Sequence, residues 1–443
     1  MKLSGFVREF FYFYIMKKIY TIAAILAAFS LHAQFTVTVQ TTADFKDQDA
    51  ILYTLNGSRD IIASKDQSKN NTWTFKYPNH YMGMMKVYFP SSNNSFTFIS
   101  ENKNVEIKLE TQDNKIKDVI FLDEANILMS TTQDGSQKKE LILPALTQIK
   151  EYYKDNTDFG KALKTEIDKL SKSTNEIDQT AHPFIYYYKT NNNKFLSKEN
   201  SKKATQDDLI NFLDKSNDML ETSSLLRPIL IAYLNIGGNT NVDASVDKLL
   251  DRLKVETPRG QTILSELIDI FDMYDMKTFK DKYLSLAKGL KCTITDRLAS
   301  TIKSNTNVEM GATFPDYKFQ SPVNTNAKSL YDIKADKKVV IFWSSTCSHC
   351  ESELPKLLEK YGDLKAKNVQ IIGLSMDTDK NSYTNRITAF PWVNDSELRG
   401  WHSSYVDTYN VHATPTYFIL DANNKILSKP EHVGNVLEYF KLK

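Results

Sequence analysis

The spacing of apolar residues changes character twice along this chain, and no single sheet, bundle or barrel accommodates all three patterns. From Phe35 to about Phe121 they come in short alternating runs: Phe35, Val37 and Val39, then Ile51 to Leu55, Trp73 to Phe75, Met85 to Phe89, Phe96 to Ile99 and Val105 to Leu109. A period of two belongs to half-buried strands, and Asn56-Gly57 and Ser91 to Asn94 supply turn chemistry between them. About seven or eight antiparallel strands at such spacing predict a small β-sandwich over residues 34–122.

From Asp123 to about Asn307 the period becomes that of helices. Phe159, Leu163, Ile167 and Leu170 form one stripe, and Val242, Val246, Leu249, Leu250 and Leu253 another. Stripes of this kind are core-facing seams rather than cofactor-binding surfaces. Pro228, Gly237-Gly238 and Pro258 separate several helices, so 123–306 is expected to be a helical region, without a repeat of constant signature.

Over 307–443 a β-α-β series follows. Lys338 to Trp343 is a strand of β-branched and aromatic residues, Glu351 to Leu364 is helix-compatible, and Val369 to Met376 is a second strand. Thr416 to Leu420 and Lys425 to Leu427 are strands joined around Ala422 to Asn424, and Val433 to Lys441 is a closing helix. Helices should flank a central mixed sheet, giving a multidomain chain with an α/β C-terminal part. The length of 443 residues, at about 150 per domain, agrees with three folded regions.

Lys17 and Lys18 precede an apolar run from Ile19 to Leu31 that closes on His32, Ala33 and Gln34. The run is shorter than the ~20 residues that span a membrane, and a small residue at Ala33 suits signal peptidase. Residues 1–33 are therefore expected to be a signal peptide, with Met16 as the more natural start and a longer uncleaved anchor as the alternative. Export would make the mature protein periplasmic, either soluble or peripherally associated with the membrane.

The chain carries 56 basic and 54 acidic residues, so no bulk field draws it to nucleic acid, and no nucleic-acid partner is expected. Its three cysteines, Cys292, Cys347 and Cys350, are too few for a disulfide scaffold and are free to do chemistry. The run V-V-I-F-W-S-S-T-C-S-H-C-E-S-E-L-P puts Cys347 just beyond a strand and at the start of a helix. Unpaired N–H groups and the positive dipole end favour a thiolate there, making Cys347 the attacking sulfur. Cys350, one turn on, lies deeper and can form or resolve a disulfide with it, so the pair forms a redox-active centre. The competing use of C-x-x-C, half of a zinc site, requires two further ligands; His402, His412 and His432 show no paired spacing. Cys292 reads as a small buried hydrophobe.

Residues 311–443 resemble the TlpA/ResA-like branch of the thioredoxin superfamily, exported bacterial thiol-disulfide oxidoreductases. The resemblance rests on G-A-T-F-P-D at Gly311 to Asp316, the V-V-I-F-W strand before C-S-H-C, E-L-P at Glu353 to Pro355 and H-A-T-P-T at His412 to Thr416. It implies a cis Pro415 facing the cysteine pair, with the Thr414 backbone offered to an extended substrate strand; from the residues alone a trans turn fits equally. Trp343, at the end of the strand, is grouped with Thr414 and Pro415 as a client-binding position. Glu353 matches an acidic residue that assists proton transfer, against the plainer alternative of a solvated carboxylate in a first helical turn. Pro355 is expected to kink that helix. Ile341 departs from thioredoxins, which carry a buried aspartate there. Ser348-His349 replaces the usual spacer, and His349 either tunes the redox pair or is an exposed spacer. More loosely, the two preceding regions resemble N-terminal extensions of exported TlpA-like proteins.

The resemblance implies an enzyme needing no cofactor that reduces or exchanges disulfides of client proteins, with a membrane electron donor if it works as a reductase. Two alternatives are a redox-gated binding protein docking partners through its N-terminal regions, and a peroxiredoxin-like peroxidase. The peroxidase motif is poorly met, because Val340 stands where proline is needed and only Ser344 fits.

Overall fold

The computed structural model describes residues 35–172, 176–197, 204–238 and 241–442, so the signal peptide expected over 1–33 lies outside the described residues. The chain forms two compact units. One runs to Leu55 and resumes from Arg59 to Ser201; the other takes Asn56–Ser58 and everything from Lys202 onward. The stretch 123–306, expected to be one helical region, is thus divided between the two.

In the first unit the strands are β1 (Phe35–Gln40), β2 (Asp49–Asn56), β3 (Arg59–Gln67), β4 (Thr72–Tyr77), β5 (Met82–Phe89), β6 (Asn94–Glu101), β7 (Val105–Gln112) and β8 (Lys115–Phe121). They make two four-stranded sheets, ordered β4-β1-β7-β8 and β3-β2-β5-β6. One core joins them: Val37, Val39, Phe75 and Ile107 from the first sheet meet Leu52, Val87, Phe89 and Phe96 from the second. The pairing departs from a purely antiparallel arrangement, because β1 runs parallel to β7, with Val37 opposite Val105. The apolar alternation also missed β3 and β8. β3 lies at a sheet edge and leaves Ile61 and Ile62 exposed, so it carries no period-two burial signal.

The helices of this unit are tied to β6 by buried polar side chains. Asn126, in the helix Glu124–Gln137, accepts from Ile99 N–H (2.7 Å) and donates to Ile99 C=O (2.9 Å). Glu101 accepts from Phe184 N–H (2.9 Å) and Ile185 N–H (3.3 Å), supplying the free donors at the start of the helix Pro183–Phe195 with an anionic partner. Of the stripe expected on Asp158–Lys172, Leu163 and Leu170 are buried, whereas Phe159 is exposed.

In the second unit, the helices Gln206–Lys215, Leu226–Gly237, Val242–Leu253, Pro258–Met273, Lys277–Gly289 and Asp296–Thr306 precede the α/β part. The whole Val242 to Leu253 stripe is buried. Pro258–Met273 is covered on every side from Gly260 to Phe271, making it the central helix of the segment. Its start combines Pro258 at the first turn with Thr257, whose Oγ1 accepts from Gly260 N–H at 3.0 Å. Gly260 has to be glycine: a Cβ there would stand 2.1 Å from the Lys254 carbonyl oxygen.

The α/β part is built on β9 (Lys337–Trp343), β10 (Val369–Ser375), β11 (Val393–Ser396), β12 (Thr416–Asp421) and β13 (Ile426–Ser428), ordered β11-β10-β9-β12-β13. β9 pairs in parallel with β10 and antiparallel with β12, giving the mixed sheet the β-α-β series implies. Its pleat feeds two cores: Val339, Ile341 and Trp343 on one face, Val340 and Phe342 on the other. Among the described residues no helix is long and apolar enough to cross a membrane.

Candidate active site

β9 lies at the centre of the sheet and is covered on both faces, so its end is a rigid platform. The ladder ends there, and Met376 N–H donates to the Trp343 carbonyl at 2.7 Å. The chain then turns through Ser344, Ser345 and Thr346 and delivers Cys347 to the cap position of the helix Ser348–Glu359. Its sulfur accepts from Cys350 N–H at 3.2 Å, taking the place of the usual capping oxygen. A sulfur at this point is stabilised as thiolate by the N–H it accepts and by the helix dipole.

The turn is pinned from below by Asp377, a buried residue just beyond β10. Its Oδ1 accepts from Ser344 Oγ (2.7 Å), Ser345 N–H (2.8 Å) and Ser345 Oγ (2.9 Å), and its Oδ2 from Ser375 Oγ (2.7 Å). Parallel pairing that sets Ser375 beside Trp343 brings the two segments together across 33 positions of sequence.

On the other side of the sulfur stands the segment before β12. The Thr414–Pro415 peptide is cis, and the Thr414 carbonyl accepts from Cys347 Sγ at 3.2 Å. Thr416 pairs with Phe342, so β12 and β9 together fix the distance across this gap.

The two thiols are driven apart electrostatically. Burial opposes ionisation of Cys347, but its contacts with Cys350 and Thr414 and the backbone N–H groups of Cys350 and His349 outweigh it, so its pKa falls below the ordinary thiol value. Cys350 is 1% exposed; burial, then the bond with Cys347, pushes its pKa up to about 12. Cys347 is therefore the readier of the two to ionise and attack, while Cys350 is held protonated.

One turn beyond Cys350, Glu353 Oε2 accepts from Tyr417 Oη (2.8 Å) and Val433 N–H (2.9 Å). Burial, then Glu353, raises the Tyr417 pKa well above its ordinary value, and both cysteines contribute in the same direction. Pro355 lies inside the Ser348–Glu359 helix, which ends at Glu359, and Ile341 is buried in the core that also contains Cys350.

The structure brings Cys347, Cys350, Glu353, Thr414 and Pro415 to one end of the sheet. Trp343 is a correction: it is 1% exposed, its ring edge-on to Phe390 with centroids 5.3 Å apart, so it supports the site from the core and offers no surface to a client. His349 is exposed in the first helical turn. Cys292 lies in the helical segment, half-buried rather than in a core, with Gln261 Nε2 3.5 Å from its sulfur. Among the described residues no group of three or more His, Cys, Asp or Glu side chains is placed to hold a metal ion. Sequence reasoning missed Asp377 and Tyr417. The alternation of β12 carried a weak signal for Tyr417, whose neighbour in register is Ile341.

Comparison with known proteins covers the same part of the chain. Residues 310–429 match the family model described as the AhpC/TSA family. A thiol-disulfide oxidoreductase ResA of Bacillus cereus is 31% identical over 104 residues, 23% of this chain and 57% of that protein. The ResA of Bacillus thuringiensis subsp. konkukian is 32% identical over 117 residues, 25% of this chain and 65% of the relative. The chain thus spans less than two thirds of the length of these relatives. The thioredoxin domain of a thiol-disulfide oxidoreductase from Bacteroides vulgatus is 25% identical, covering 30% of this chain and 98% of that domain with a TM-score of 0.27. The last third of the chain is accordingly similar to TlpA/ResA-like thiol-disulfide oxidoreductases and carries a thioredoxin-like mixed sheet.

Proposed function

We propose that this protein is an exported thiol-disulfide oxidoreductase acting on client proteins. The observation that carries this is the asymmetric cysteine pair: Cys347 caps a helix with a lowered pKa, and Cys350 is buried beneath it with a raised one. The Cys347 thiolate attacks a client disulfide, forming a mixed disulfide and releasing one client thiolate, which takes up a proton. Cys350 then loses its proton and attacks the Cys347 sulfur, giving the Cys347–Cys350 disulfide and the second client thiol. The client gains two electrons and the enzyme pair loses them; in reverse the same steps oxidise a client.

Cys350 needs help to ionise. Glu353 lies on its side of the helix three residues on, held by Tyr417 and Val433, and receives the proton. Thr414 and Pro415, facing the sulfur, take the client segment next to its reacting cysteine. His349 is exposed beside Cys347, where an imidazolium would further favour the thiolate. The Lys17 to Ala33 segment supports export, and an oxidising compartment supplies disulfide clients. The two sheet layers of the first unit, read as a β-sandwich, are the extension that would dock partners.

A Cys350→Ser variant should accumulate a client joined through Cys347, released by dithiothreitol. If no adduct forms and the wild-type chain also fails to reduce insulin, the proposal is wrong.

A further inference from the structure

Asp272 occupies the last turn of the helix Pro258–Met273, where a carboxylate opposes the helix dipole. The helix itself gives no reason for an acid there. Its partners come from outside: Lys280 Nζ donates to Oδ1 at 2.6 Å, Asn410 Nδ2 donates to Oδ2, and His412 Nε2 stands 3.4 Å from the same oxygen. His412 Nε2 also lies 3.0 Å from Asn410 Oδ1. Asn410 ends the helix Ser404–Tyr409 with a φ of 52°, a left-handed conformation that asparagine tolerates better than other side chains.

These contacts fall on the loop that carries Thr414, two residues after His412. The helix Ser404–Tyr409 that leads into this loop is itself held from the end of the helix Asp296–Thr306, where Asn307 Nδ2 donates to the Thr408 carbonyl at 3.0 Å. A client sulfur that bonds Cys347 comes within ~2 Å of an atom that is itself beside the Thr414 carbonyl. The client residues flanking that sulfur are therefore brought against Thr414, two residues from His412. A small disulfide reaches the sulfur without that contact.

We infer that Asp272 is a positioning residue for client binding: by gripping Asn410 and His412 it makes the preceding helical segment part of the redox machinery and fixes the loop a client polypeptide lies on. This rests on the oxidoreductase reading and assigns the helical segment a place in it.

The test uses the full chain with dithiothreitol as reductant, and compares insulin with hydroxyethyl disulfide as substrates for wild type, Asp272→Ala, Asn410→Ala and the double variant. The insulin KM should rise about five- to tenfold in each single variant, the loss expected for about one hydrogen bond of ordinary net strength, with kcat and small-disulfide turnover nearly unchanged. The double variant should be no worse than Asp272→Ala, which already releases Asn410 along with His412. Asp272→Asn, which keeps an acceptor for Asn410, should fall between. Unchanged insulin KM, equal losses on both disulfides, or additive losses in the double variant would each overturn the inference. If Asp272→Ala does not fold, Asn410→Ala decides alone. A wild-type chain inactive on both disulfides sinks the oxidoreductase reading, and this inference with it.

Discussion

In the helical segment of the second unit, Glu266 and Asp269 are buried against two arginines. Arg297 Nη2 donates to Glu266 (2.9 Å) and Asp269 (2.7 Å), and Arg227 Nε donates to Glu266 at 2.8 Å; Ser58 completes the shell of Glu266. In the site-bearing segment, Asp377 and Asp395 are as deeply buried, but the groups donating to them are neutral. Asp377 takes three serines, and Asp395 takes Tyr317 Oη (2.9 Å) and the N–H groups of Gln320 (2.8 Å) and Ser321 (2.7 Å). Lys338 is buried in the same manner, donating to the Leu330 carbonyl (3.0 Å) and Asn424 Oδ1 (2.6 Å). The difference lies in what removal leaves behind. Deleting one member of an ion pair strands the other in a low-dielectric core, whereas deleting a charge held by dipoles strands only dipoles.

The largest effect should therefore come from Glu266→Ala, which leaves Arg297, itself 1% exposed, short of a counter-charge. A loss of about 3–5 kcal/mol is expected, read as a lower urea midpoint, with the alkylation pH profile of Cys347 unmoved. Asp377→Ala should lose less, about 1–3 kcal/mol, because serine hydroxyls can turn toward other acceptors while the Ser345 N–H cannot. It should, however, raise the pH midpoint of Cys347 alkylation, since Asp377 fixes the turn that sets the sulfur at the helix start. Equal stability losses in the two variants, or an alkylation shift in Glu266→Ala alone, would break the comparison.

The same contrast explains what could be read from the chain beforehand. β9 and the helix after Cys350 were legible because their information is local: a β-branched run, a C-x-x-C and a helix start lie within about fifteen residues. Trp343 was misread for want of a parity argument that was present in the sequence, since it shares a strand face with Val339 and Ile341 and so points into the core. Asp377 was not legible, because its partners lie across a parallel strand pairing that no local pattern encodes. The mixed pairing of β1 with β7 and the edge strand β3 were hidden for the same reason, being settled by tertiary neighbours rather than by apolar period. Of the site, the thiols and Glu353 were visible as a motif; the groups that orient them were not.

Cys350 carries the contrast to a group buried as a neutral acid. Its pKa rises from 9.0 to about 12 in the folded chain. Between those values the unfolded chain gives up the proton and the folded one does not, so the stabilising contribution is complete below pH 9 and is lost as pH climbs toward 12. Cys347, lowered instead, contributes in the opposite sense, its share being lost as pH falls through its folded pKa. Urea midpoints of wild type and Cys350→Ala, followed from pH 8 to pH 11, should converge as the pH rises. Parallel curves would show that the thiol is not held neutral by the fold.

The smallest change at neutral pH should come from Lys338→Met. Burial, then repulsion from Lys334, lowers the Lys338 pKa from 10.5 to about 8. Between pH 8 and 10.5 the unfolded chain binds more protons than the folded one, so stability rises with pH across that window and the lysine is most costly below it. Methionine removes the desolvation of a charge, while the Leu330 carbonyl and Asn424 lose a donor. The two effects oppose each other, and the net change at pH 7 should stay within about 1 kcal/mol. The slope decides more than the size: the wild-type rise in urea midpoint from pH 8 to 10.5, measured against Lys338→Met, should vanish in the variant. A loss at pH 7 as large as that of Glu266→Ala would mean that Lys338 has an anionic partner after all, and the distinction between paired and dipole-held charges would fail in the segment that carries the redox site.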